Sequence, residues 1–103
     1  MPDDKPHILE IDRIVHEPAR LAILTALYSC RAADFLFLQN VTGLSKGNLS
    51  IQISRLEEAA MVKVAKTIEK KKTRTRISLT RKGAAMIDQY WKTMDEIRNQ
   101  SKR

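Results

Sequence analysis

The chain has 103 residues, 43% of them hydrophobic and 30% charged, with a formal net charge of +7. A domain of that length buries roughly 60–65% of its unfolded surface, enough for one core without metal or disulfide staples, and its apolar content excludes a disordered chain. A single cysteine, Cys30, excludes an internal disulfide and points to a reducing compartment. No apolar run approaches the ~18–20 residues of a membrane span, and the start MPDDKPH is acidic where a signal peptide is basic, so a cytoplasmic protein with no membrane partner is expected.

Residues 1–7 read as a flexible tail and 100–103 as a frayed end, leaving 8–99 as one domain. Ile8, Ile11, Ile14 and Val15 stand at helical spacing and predict a short helix or turn. HEPARLAILTALYSC predicts a firmer helix. Pro18 suits its first position, Glu17 suits the positive N-terminus, and Leu21, Leu24, Leu27 and Tyr28 make a buried face, with Cys30 buried at its end. Ala33-Asp34 offers an N-cap to a short helix, FLFLQNVT, that ends at Gly43. Ser45 can cap a third helix over 46–59, with Leu44 as a staple residue.

The period then changes. In MVKVAKTIE the apolar Val62, Val64 and Ile68 mix with Lys63 and Lys66, which predicts a half-buried strand. EKKKTRT has no apolar residue and predicts a solvated hairpin tip. RISLT returns as a second strand with Ile77 and Leu79 on one face. Thr80 caps a last helix over about 80–99, striped by Ile87, Tyr90, Trp91, Met94 and Ile97. The predicted fold is mainly α with a small β-hairpin.

Charge follows this organisation. Residues 1–44 hold four Lys/Arg against six Asp/Glu, residues 45–82 eleven against three, and residues 83–103 four against three. The basic excess is confined to the third helix and the hairpin, the footprint expected for a polyanion partner. The third helix carries a second signal. Leu49, Ile53, Leu56 and Ala60 form its apolar stripe, and a 100° step places Gly47, Ile51 and Ser54 most nearly opposite. Asn48 and Arg55 lie on one flank and Ser50 on the other, while Lys46 and Gln52 sit nearer the core edge. A helix that enters the major groove of B-DNA needs such a face: small enough to approach, with Asn for adenine, Arg for guanine and an apolar residue for the thymine methyl. Ser45 and the helix N-terminus can hold a phosphate. Lys70, Lys71, Lys72, Arg74 and Arg76 on the adjacent ribbon suit phosphates or the minor groove. The competing reading is an ordinary solvated helix face with Ile51 covered from elsewhere in the chain.

HEPARLAILTAL, LSKGNLSIQISRLEEA and the Lys-rich hairpin before LTRKG together resemble the winged helix-turn-helix transcriptional regulators of the MarR/ArsR type, in particular their small single-domain members. The likeness covers residues 12–90, and EPARLAIL is similar to the DPTRLxIL opening of ArsR-like helices. It implies that helix 46–59 is the recognition helix and 69–74 the tip of the wing. It also implies a homodimer that represses promoters at imperfect palindromes, often under a small-molecule or metal effector. Two features depart from the pattern. Ala60 stands where the family commonly has Gly after the recognition helix; in a left-handed C-cap that costs on the order of 1 kcal/mol. The chain is also short for the MarR type, which leaves the effector pocket reduced or absent.

A homodimer is expected, with Ile87, Tyr90, Trp91, Met94 and Ile97 of the last helix and Ile8, Leu9 and Ile11 of the N-terminal segment as its interface; the first half of the helical stripe also suits a cover for the three-helix core, and Met94 and Ile97 at its far end suit the partner subunit. No cofactor is expected: His7, His16 and Cys30 are not spaced for chelation. Gly43 to Gly47 lacks the ending of a phosphate loop, and Asn48-Leu49-Ser50 lies inside a helix, unsuited to glycosylation. The pairs Asp3-Asp4 and Glu57-Glu58 have no apolar pocket to shift their pKa, and nothing assembles a nucleophile with a base, so no enzyme is expected. The function expected is a sequence-specific regulator, a repressor, that binds double-stranded DNA. The alternatives are a non-specific nucleic-acid binder, architectural or RNA-directed, and a winged-helix protein-interaction module.

Overall fold

The computed structural model describes residues 11–101. Four helices and three strands follow in the order α1 (Pro18–Cys30), β1 (Ala32–Asp34), α2 (Phe35–Thr42), α3 (Lys46–Glu58), β2 (Val62–Glu69), β3 (Lys72–Leu79) and α4 (Arg81–Ser101). The sheet is antiparallel in the order β1-β3-β2. This is the expected fold, three helices, a basic hairpin and a long closing helix, with one strand added. Among the described residues no helix is long and apolar enough to cross a membrane.

Each helix begins where a capping side chain stands. Glu17 Oε1 accepts from the N–H of Ala19 at 2.7 Å, Asp34 Oδ1 from Phe37 at 2.8 Å, Ser45 Oγ from Asn48 at 3.1 Å and Thr80 Oγ1 from Gly83 at 2.9 Å. Such a cap contributes about 1 kcal/mol. Gly43, at φ 72°, ends α2 in the left-handed conformation that a Cβ disfavours. Residues 11–15 form a turn instead of a helix, because Asp12 Oδ1 accepts from the N–H groups of Ile14 and Val15. That turn puts Val15 in the core and leaves Ile14 exposed.

One core gathers Ile23, Leu24 and Leu27 of α1, Leu38 of α2, Leu49, Ile53 and Leu56 of α3, Ile77 of β3, and Ile87 and Tyr90 of α4. Each such side chain contributes roughly 1.5–3 kcal/mol through burial. Two α1 residues expected inside are exposed. Cys30 lies a turn beyond Leu27, past the edge of the core, with its thiol donating to the carbonyl of Ala26 at 3.3 Å. Tyr28 donates its hydroxyl to Asp88 Oδ1 at 2.7 Å, tying α1 to α4; that hydrogen bond and the charge of the carboxylate raise the phenol pKa.

The sheet differs from expectation in two ways. β1 is additional: Ala33 lies opposite Ile77 and Asp34 opposite Arg76, so a strand of three residues satisfies the edge of β3 that β2 leaves open. The hairpin is also longer than its apolar pattern indicates. Its ladder runs out to Glu69 opposite Lys72, and the solvated tip shrinks from 69–75 to a two-residue turn. Lys70 and Lys71 both have positive φ, 49° and 64°, the handedness that matches the twist of a two-residue hairpin. The distal ribbon projects beyond the core, which is why Ile68 is 78% exposed.

Candidate nucleic-acid interface

Helix α3 turns Leu49, Ile53 and Leu56 inward and leaves Lys46, Gly47, Asn48, Ser50, Ile51, Ser54 and Arg55 in solvent. Ile51 is 54% exposed, so no other part of the described chain covers it. At Gly47 even a Cβ would meet nothing within 4 Å. The flank toward α1 is organised by hydrogen bonds. Arg20 Nη1 donates to Gln52 Oε1 at 2.8 Å, and Gln52 Nε2 donates to Asn48 Oδ1 at 3.1 Å. Arg20 is itself held by the backbone, through Nε to the carbonyl of Ile14 at 2.7 Å and Nη2 to that of Arg13 at 3.4 Å.

On the opposite flank α3 faces the hairpin across an open groove of about 720 Å³. Lys46, Ser50 and Ser54 line one wall, Lys66, Lys72 and Arg74 the other, and the carboxylates of Asp34 and Glu57 reach it as well. Arg74 lies 3.4 Å from Glu69 Oε2 and 4.0 Å from Asp34 Oδ2. Exposed pairs of this kind contribute little to stability, but they hold the guanidinium between the ribbon and the start of α2. Lys70, Lys71, Lys72 and Arg76 are exposed.

The angle between α3 and the hairpin is set at their junction. The N–H of Ala60 bonds to the carbonyl of Glu57 at 2.9 Å and that of Met61 to the carbonyl of Leu56 at 3.0 Å, the paired bonds of a Schellman cap. Ala60 has φ 61°, so it does take up the left-handed position despite its Cβ. From the other side, Thr80 donates its hydroxyl to the carbonyl of Ala60 at 2.7 Å and its N–H to that of Met61 at 3.0 Å. Gly83 packs on the same point, where a Cβ would run into the carbonyl oxygen of Met61.

The sequence pattern of the family described as "Winged helix DNA-binding domain" matches residues 19–98. The chain belongs to this family. An uncharacterized protein of Methanocaldococcus jannaschii is 31% identical over 78 residues, covering 76% of this chain and 85% of that one. The solved structure of a transcriptional regulator homologue from Pyrococcus horikoshii superposes with a TM-score of 0.81 at 30% identity, over 85% of this chain and 87% of that one. BpsR of Bordetella bronchiseptica, whose structure addresses regulation of its DNA binding by 6-hydroxynicotinic acid, shares the fold at a TM-score of 0.72 and 17% identity, over 90% of this chain and 70% of its own. The resemblance to small winged-helix regulators is thereby borne out.

Within this winged helix, the residues expected on the recognition helix lie together on one exposed face, with Gln52 half-buried at its edge. The expected interface between subunits is corrected at Ile87 and Tyr90. Ile87 and Tyr90 are 2% and 4% exposed and lie in the core of the chain itself, with His16 Nδ1 2.8 Å from the Tyr90 hydroxyl. Met94 and Ile11 pack partly against the same core, and Ile97 is half-buried. Trp91 alone of the stripe stands out, 45% exposed, beside an apolar cleft of about 500 Å³ that includes Leu21, Ala22, Ala26 and Val41. Ile8 and Leu9, like His7, lie outside the described residues. Two further basic residues, outside the expected site, join it. Lys66 faces the groove because its register opposite Thr75 puts it on the face that carries Ile77 further down the ribbon. Arg20 was visible only as the one charged residue inside PARLAILTAL.

Proposed function

We propose that this winged helix protein is a sequence-specific transcriptional regulator, a repressor, that binds double-stranded DNA as a homodimer. Helix α3 enters the major groove through Gly47, Asn48, Ile51, Ser54 and Arg55, with Lys46, Ser50 and Gln52 at its margins and Ser45 at a phosphate. The wing lays Lys70, Lys71, Lys72, Arg74 and Arg76 along the backbone or in the adjoining minor groove. One observation carries this reading: the exposed face of α3 is small and polar around an uncovered Ile51, and it opens directly onto a groove walled by lysines. Side chains of these types at a groove-sized helix read base edges, while the lysines neutralise phosphates. The exposed Trp91 at its apolar cleft supports a second copy as the partner, because large aromatic side chains anchor protein interfaces.

Selection of bound fragments from a random DNA library at about 150 mM salt tests the proposal. An enriched inverted repeat with half-sites about one helical turn apart is expected. Binding that falls steeply with salt but enriches no motif would assign the protein to non-specific nucleic-acid binding, and no binding to DNA would leave the fold as a protein-interaction module.

A further inference from the structure

The chain of contacts from Arg20 through Gln52 to Asn48 has a fixed direction at every link. A guanidinium carries five N–H donors and no acceptor, so Arg20 Nη1, 2.8 Å from the Gln52 amide, can face only its carbonyl oxygen. The guanidinium is held in place by the carbonyls of Ile14 and Arg13. With Oε1 taken, Gln52 must present Nε2 on its other side, where it donates to Asn48 Oδ1 at 3.1 Å. The two ends of a side-chain amide have nearly the same shape, so partner chemistry alone decides which way each one lies.

We propose that Arg20 is a specificity-determining positioning residue: it sets the direction of Gln52 and, through it, of Asn48, so that Asn48 meets DNA with its NH₂ group as an obligatory donor. This rests on the assignment of α3 as the reading helix. In the major groove the acceptors are purine N7, guanine O6 and thymine O4, whereas adenine N6 and cytosine N4 are donors. The orientation at Asn48 therefore selects a base carrying an acceptor and disfavours one that offers only an amine. Without the donor-only anchor the Gln52–Asn48 pair can lie in either sense, and the outward group is a donor in one and an acceptor in the other. Arg20 thus removes an ambiguity before DNA arrives, although it is placed on α1, behind the reading face.

The same library selection, run on variants, separates this role from simple stitching of α3 to the turn at 13–14. Asn48→Ala identifies the base pair that Asn48 faces, as the one whose preference it abolishes. Arg20→Met is expected to flatten the preference at that pair about ten-fold while other positions keep theirs. Gln52→Glu keeps an acceptor for Arg20 but has no donor for Asn48. Asn48 then bonds residue 52 only by turning over, and the preference at that pair should move toward an amine-bearing base. The proposal is overturned if folded Arg20→Met retains the wild-type preference at that pair, whatever its total affinity, if Gln52→Glu retains it, or if Asn48→Ala changes none. Should Arg20→Met fail to fold by circular dichroism, Gln52→Glu decides alone, since it leaves the anchorage of Arg20 intact. A wild-type selection without any motif fails differently: it removes the reading role of α3 itself.

Discussion

Replacing Gly83 by Ala sets helix propensity against packing, and the structure says which wins. Gly83 lies in the first turn of α4, where Ala gains at most about 1 kcal/mol over Gly in intrinsic helix preference. Against this, the new Cβ would meet the carbonyl oxygen of Met61 and come 2.8 Å from Leu79 Cδ1, so backbone has to move. The Met61 carbonyl accepts from Thr80 N–H at 3.0 Å, and Thr80 also holds the carbonyl of Ala60 and caps α4. Overpacking costs about 1–3 kcal/mol and each strained hydrogen bond on the order of 1 kcal/mol more, so the net loss is about 2–3 kcal/mol. For a domain of this size that lowers Tm by on the order of 10–20 °C, measurable by circular dichroism and by urea denaturation at unchanged m-value. Gly47→Ala is the internal control. Its Cβ meets nothing within 4 Å, so the same assay should show stabilisation of about 0.5 kcal/mol. Gly83→Ala as stable as the wild type would refute the close approach and, with it, the account of the junction.

Ala60→Gly relieves a left-handed alanine, φ 61°, and should stabilise the fold by about 0.5–1 kcal/mol in the same denaturation assay, with the affinity for DNA unchanged. Arg55→Ala is expected to weaken binding to the selected operator by about 1–3 kcal/mol and to relax preference at one base pair in a competition assay. Lys71→Ala should instead weaken all sequences alike and reduce the magnitude of the log K against log salt slope by about 1. Trp91→Glu puts a charge at the exposed apolar cleft; sedimentation is expected to show dissociation into monomers, and an inverted-repeat operator to be bound with lower affinity than by the wild type.

Local chemistry was legible wherever a side chain acts on its own neighbourhood. Asp34, Ser45 and Thr80 each reveal a helix start because their oxygens satisfy an N–H three residues on, and Gly43 reveals a stop. The exposed face of α3 was legible for the same reason, since a 100° step fixes which side chains oppose the apolar stripe. What depends on partners distant in sequence was not. The three residues of β1 have no alternation to detect, and they form a strand only because β3 lies alongside. The stripe on α4 shows which side is apolar but not what covers it, so the pattern alone does not separate Ile87 and Tyr90, which the protomer's own core takes, from residues that meet a partner. The distal hairpin leaves the core, so its ladder carries no apolar signature. Arg20 reaches Gln52 across 32 positions, a distance at which no periodicity operates.

The division between what builds the interface and what faces DNA has a consequence for how such a protein changes its target. The angle between α3 and the wing is held by the Ala60 and Met61 carbonyls, by Thr80 and by the absence of a side chain at Gly83. None of these groups lies on the proposed reading face, and the contacts to the Ala60 and Met61 carbonyls are to backbone, which every residue type supplies. Substitutions at 47, 51, 54 and 55 can therefore alter the bound sequence without disturbing the frame that presents it. Changes at 61, 80 or 83 act on the frame and should move affinity for all sequences together. Arg20 is the exception, because it belongs to α1 yet acts on base preference through Gln52. Its contribution will be seen only when sequence preference is measured, since a single-operator affinity cannot separate a turned amide from a loosened helix.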